Sequence, residues 1–269
     1  MKKGEEYGIR KAQLDRLYQK YNTRGYVHPD PLEFLYRYEY PHDREIAGLM
    51  ASSLAYGRVA QILKSVAVVL DITGPHPSAF LKKTSPESLR SMFTGFRHRF
   101  ASGSHLAAML TGAKQIISTY GSLHACFLEG LGEDDATVLP ALSFFSESLI
   151  SASSNGCGHL IPLPERGSAC KRMNLFLRWM VRKDAVDPGG WDEVPASKLI
   201  IPLDVHMHRI ATRLGITRRK QADMRTALEI TAAFRLLVPG DPARYDFTLT
   251  RLGIRDDIPS DVLNDISLP

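Results

Sequence analysis

The stretch KLIIPLDVHMHRIATRLGI, Lys198 to Ile216, decides how this chain is read. An apolar, strand-like run ends in Pro202-Leu203-Asp204, and a helical pattern crowded with His and Arg begins at the Asp. A carboxylate at a helix start can accept hydrogen bonds from backbone N–H groups two or three residues on, as a cap. It can also face a cleft, as a general base or as a stabiliser of developing positive charge. The two roles are compatible, because helix N–H groups keep an Asp ionised. His206 and His208, two apart, point to different sides of a helix and make a poor chelating pair. Asp204 with His208 has helical i,i+4 spacing, but two ligands do not make a metal site, so no metal is expected. Arg209 and Arg213 share a face and can meet phosphates, or simply be solvated.

Working outward, most of the chain has helical periodicity. The pattern predicts helices over Ile9–Tyr21, Asp43–Tyr56, Arg58–Ile72, Ser104–Tyr120 and around Leu142–Leu149. It predicts further helices over Ala169–Arg182 and Lys220–Leu237, and one opened by Asp241-Pro242 as cap and first turn. Ser104 is the expected N-cap of its helix, and Gly121 stands where a C′ residue belongs. No strand ladder, repeat or low-complexity tract is evident. The expected class is all-α, with roughly ten helices.

The 269 residues suffice for one large domain or two subdomains at ~150 residues per domain. Hydrophobic residues make up 44% and charged ones 23%, which permits a full core. The net charge of +5 permits a polyanionic partner if the charge is clustered. Cys126, Cys157 and Cys170 show no CxxC pairing, so neither a disulfide framework nor an iron–sulfur site is expected. The start MKKGEEYGIRKAQ lacks the apolar stretch of a signal peptide, and no run of ~18 apolar residues spans a membrane. A cytoplasmic, nucleoid-associated monomer without a cofactor is the expectation. Phosphate-loop, dinucleotide-binding, zinc-protease and serine-hydrolase motifs are absent from the sequence.

A second candidate is Lys171. It follows LIPLPERGSAC, a Pro- and Gly-bearing turn, and lies in the first turn of an apolar-faced helix. Most helix lysines are solvated, yet a helix N-terminus can favour the neutral amine that a Schiff-base nucleophile requires. Backbone N–H groups at such a turn can also seat a phosphate. A Lys there and an Asp at the start of the next helix are the equipment for excising a base. The amine attacks C1′ of the sugar, and the carboxylate assists.

IIPLDVHMHRIATRLGI resembles the "P-[VL]-D-x-H-x-x-R-[IV]-x-x-R-[LT]-G" region of the helix-hairpin-helix DNA glycosylase superfamily, typified by endonuclease III. That resemblance puts the catalytic Asp on Asp204. LPERGSACKRMN is similar to the superfamily hairpin "L-P-G-[VI]-G-x-K-x-A-N" at Leu163, Pro164, Gly167 and Asn174. Ala169 stands at the usual Lys position, and Lys171 lies two residues beyond it. This arrangement resembles most the archaeal 8-oxoguanine glycosylase branch, which has an atypical hairpin. The AYGR, CKRxNLFLRWMVR and PLDxHxxRI blocks also resemble an uncharacterised bacterial domain-of-unknown-function family over nearly the whole chain.

The superfamily resemblance implies two helical subdomains with a DNA-binding cleft between them. Residues 41–184 would form a central subdomain ending in the hairpin and the Lys171 helix. Residues 1–40 and 185–269 would form a second, carrying Asp204. It implies a base-excision glycosylase on double-stranded DNA with a damaged base, such as an oxidised purine, with or without AP-lyase activity. The alternative is a non-catalytic nucleic-acid-binding protein on the same scaffold. By position, Ser53, Tyr56, Gly57, Arg58 and Gln61 would lie near DNA, where one side chain could fill the vacated stack. Gly167, Ser168 and Arg172 at the hairpin, His206 and Arg209 on the Asp204 helix, and Arg218 and Arg219 are phosphate-contact candidates. Trp191, in a polar Gly-rich loop, is the candidate to stack on an extruded base; Trp179, on an apolar helix, reads as core.

Overall fold

The computed structural model describes residues 11–151 and 156–255. Ile9 and residues 152–155 of the loop after Leu149 lie outside the described residues, as do both ends of the expected second subdomain. The described chain is mainly helical. Its α-helices are α1 (Lys11–Tyr21), α2 (Pro41–Ser53), α3 (Val59–Thr73), α4 (Pro77–Lys83), α5 (Pro86–Met92) and α6 (Gly103–Tyr120). They continue with α7 (Leu123–Glu129), α8 (Leu139–Ser151), α9 (Lys171–Val181), α10 (Val205–Arg213), α11 (Met224–Leu237) and α12 (Asp246–Ile254). A 3₁₀ segment, Pro31–Arg37, packs on α2. A short antiparallel hairpin, β1 (Arg97–His98) and β2 (Ala101–Ser102), precedes α6; periodicity did not predict it, because two residues per strand show no alternation.

Helix ends differ from the expected ones for local reasons. The cap of α6 is Ser102, not Ser104. Ser102 is still extended at the end of β2, and its hydroxyl and the His105 ring close a reciprocal capping box. Asp241 does not cap a helix, because Arg182 occupies its carboxylate; residues 241–245 form turns and α12 starts at Asp246. α11 starts at Met224, capped by Asp223, so residues 218–220 lie ahead of it.

Helix α2 is buried on nearly every side and packs against α9, α4 and α7, while α6 packs on α5 and α8. Gly48 lets α2 approach closely, since a Cβ there would meet the Phe176 ring at 3.3 Å. Helices α10 and α12 pack on each other, and α1 on α12. One apolar core runs through these elements. Trp191 sits in it, fully buried among Phe127, Phe145, Phe176 and His124, and its indole N–H donates to Glu45 Oε2 at 3.1 Å. It cannot stack on an extruded base. Its Gly-rich setting suggested a loop surface, but the loop folds back onto α9: Gly189 N–H and Trp191 N–H donate to the Trp179 and Met180 carbonyls.

Candidate functional site

Asp204 is the N-cap of α10. Its Oδ1 accepts from the backbone N–H groups of His206 (2.9 Å) and Met207 (2.8 Å). That leaves Oδ2 outside the cap, 3.7 Å from Lys171 Nζ. The separation exceeds a hydrogen bond, so the two groups form an ion pair across a gap. Lys171 is the first residue of α9, entered through Cys170 in the left-handed region (φ 47°). The strained entry is held by Cys170 N–H donating to Ser168 Oγ (3.2 Å). The preceding loop is pinned to the start of α11, where Met224 N–H donates to the Gly167 carbonyl.

Both groups line one cavity of about 590 Å³. One wall comes from the α2–α3 turn, the loop before α9 and α9 itself. The other comes from residues 29–31, the start of α10, and α12. Lys171, Arg172, Arg178 and Arg251 give the walls positive groups, and Asp30, Asp204 and Asp246 give negative ones.

An ion network that periodicity did not expose reaches the cavity through Arg178, Asp246, Arg251 and Asp30. Arg178 on α9 and Arg182, the residue that ends it, are both almost fully buried. Arg178 donates to Asp187 and Asp246, and Arg182 to Asp187, Asp184 and Asp241. Arg251 on α12 pairs with Asp30 at 2.8 Å. Burial works against the charge on Arg178, but the Asp187 and Asp246 carboxylates outweigh it and hold the guanidinium protonated. Burial raises the Asp246 carboxyl to about 6 against the pull of Arg178, and the Asp204 charge adds to the rise. The signal for this network was present: two arginines four apart inside the apolar run LFLRWMVR must be buried with partners.

The other expected contact residues divide. Tyr56, Gly57, Ser168, Arg172 and His206 line the cavity with Lys171 and Asp204. Arg58, Gln61, Gly167, Arg209 and Arg218 are exposed around it or on the neighbouring surface. Ser53, at the enclosed C-terminal end of α2, is fully buried, so its side chain cannot meet DNA. Arg172 is a clamp rather than a free cation: it donates to the carbonyls of Ser53 and His159 and lies over the Tyr56 ring. Arg219 is engaged by Asp223 and Thr226 at the start of α11. Tyr56 donates its hydroxyl to the His98 carbonyl at 2.8 Å, which fixes its ring at the cavity wall.

Among the described residues, no group of three or more His, Cys, Asp or Glu is placed to hold a metal ion. No described helix is long and apolar enough to cross a membrane. The three cysteines are buried thiols, each raised by burial to about 11. A family model described as "Protein of unknown function (DUF2400)" matches residues 30–255. No curated protein and no solved structure matches the chain.

Proposed function

This chain belongs to the DUF2400 family of proteins of unknown function, and we propose that it is a DNA glycosylase that excises a damaged base, with an oxidised purine as the preferred substrate class. The observation that carries this reading is the pairing of Lys171 and Asp204 across a gap in one cavity, with only one carboxylate oxygen committed to the helix cap. An extruded nucleotide entering the cavity brings C1′ of its sugar against the two groups. The amine must shed a proton before it can attack, and Asp204 Oδ2 is the carboxylate oxygen that faces it.

The Lys171 nitrogen then forms a bond to C1′ while the bond from C1′ to the base breaks. The base departs with the bonding electron pair and takes up a proton. Opening of the sugar ring, with loss of a proton from nitrogen, gives a Schiff base between Lys171 and C1′. Loss of a C2′ proton and cleavage of the C3′–oxygen bond would nick the strand, and water would release the lysine. Where water is the nucleophile instead, Asp204 assists it and stabilises the positive charge on the sugar. Extrusion costs a few kcal/mol and is least costly for a damaged pair.

The test is release of free base, measured by chromatography, from duplexes carrying 8-oxoguanine, thymine glycol or uracil. The expected result is release from the 8-oxoguanine duplex, falling at least ~100-fold in Asp204→Asn. Salt-sensitive duplex binding with no base released from any duplex would transfer the assignment to a non-catalytic binding protein.

A further inference from the structure

Beside the cavity the chain presents an aromatic side chain that the core does not use. Phe100 is 73% exposed at the tip of the β1–β2 hairpin. Its ring meets the edge of His159, at 6.0 Å between centroids, and the Arg99 guanidinium, at 5.5 Å. The hairpin is short and firmly held. His98 is buried, and its ring nitrogens bond Ser65 Oγ (2.9 Å) and the Tyr56 carbonyl (3.1 Å). Tyr56 returns a hydrogen bond to the His98 carbonyl and stands edge-on to both His98 and His159. Tyr56 is itself part of the cavity wall, so Phe100 is mounted one aromatic layer from the site.

The turn is built at a conformational cost. Arg99 has φ 52°, a position that favours glycine in a two-residue hairpin, where it places Arg99 and Phe100 together at the tip. Gly57 accommodates this: a Cβ there would lie 2.8 Å from Arg99 Cδ, and its own φ is 99°. Residues 46–70 and 88–128, which include the cavity-side turn and the hairpin, contain no Asp or Glu; of their cations Arg90 pairs with Glu87 and Lys114 bonds the Leu81 and Lys82 carbonyls, which leaves Arg58, Lys64, Arg97 and Arg99. An exposed aromatic ring on a short, well-held tip that carries Arg97 and Arg99 matches a polyanion with stacked flat faces.

We infer that Phe100 is a wedge that enters the base stack of duplex DNA and fills the space left by the extruded nucleotide, with Arg97, Arg99 and Arg58 on the flanking phosphates. This rests on the glycosylase reading for the extruded nucleotide. The wedge holds the gap open while the nucleotide occupies the cavity.

The experiment measures binding of the full chain to a duplex with a tetrahydrofuran abasic analogue opposite 2-aminopurine. Anisotropy gives the affinity, and 2-aminopurine fluorescence reports stacking at the gap. The expected result is a loss of roughly tenfold in affinity for Phe100→Ala, the scale of one base–aromatic stack, together with loss of the fluorescence change. Phe100→Trp should retain both, with its own emission quenched by DNA. Because residue 100 is exposed, thermal melting of the variants should match the parent chain. Parent-level affinity and fluorescence change in Phe100→Ala would overturn the wedge alone. Failure of the parent chain to bind any duplex would overturn the wedge and the glycosylase reading together. Phe100-dependent binding to vesicles containing phosphatidylserine, with none to DNA, would assign the tip to a membrane surface and overturn the inference.

Discussion

Asp204 divides its duties between two oxygens. Oδ1 caps α10 and Oδ2 faces Lys171. Substitutions can therefore separate stability from chemistry. Asn caps a helix about as well as Asp, so Asp204→Asn should melt close to the parent chain while losing chemistry. Asp204→Ala should lose the cap as well, at about 1 kcal/mol, or roughly 2–4 °C in Tm for a chain of this size. Equal Tm losses in the two variants would contradict this division. The cap was legible in the sequence because it depends on three consecutive residues and a helix start. The fate of Trp191 was not, because its burial depends on α7, α8 and α9 converging on one loop. Ser53 was misplaced for the same reason: its exposure depends on how many elements enclose α2.

Among the elements, α9 and α12 carry most of the site's electrostatics. Periodicity located α9 to within two residues, yet it placed only the apolar face and not the partners of Arg178 and Arg182. Those partners lie on a loop and on α12, brought in by the fold. The start of α12 was misjudged because the Asp241 carboxylate serves Arg182 instead of a helix. Asp246 gives this network a pH signature. Its folded value of about 6 is above its ordinary 3.8, so the folded chain holds that proton more tightly than the unfolded chain. Its contribution therefore favours folding at low pH and fades as pH rises from about 4 through 6, by at most on the order of 3 kcal/mol. Thermal melts of the parent chain and Asp246→Asn across pH 4 to ~7.5 should show the parent's relative stability declining over that window. A Tm difference independent of pH would contradict a titrating Asp246.

At the scale of the molecule, the central feature is a cavity whose walls come from segments far apart in the chain. The α9 side supplies the amine, and the α10 side supplies the carboxylate. The all-α class was legible in the sequence, and so was the choice of Lys171 and Asp204 as candidates. Their facing one pocket was expected from their places at two helix starts, whereas their approach to 3.7 Å depends on packing across the cavity. The same holds for the charge: +5 in total says little, whereas the turn after α2 and the β1–β2 hairpin that Tyr56 ties to it carry Arg58, Arg97 and Arg99 with no Asp or Glu. The most direct test of the account is borohydride reduction of the protein on a duplex with an abasic site, followed by intact-mass and peptide mapping of any adduct. The account predicts a covalent protein–DNA adduct attached at Lys171 and absent in Lys171→Gln. An adduct mapped to another lysine, or an undiminished adduct in Lys171→Gln, would contradict the assignment of Lys171 as the nucleophile.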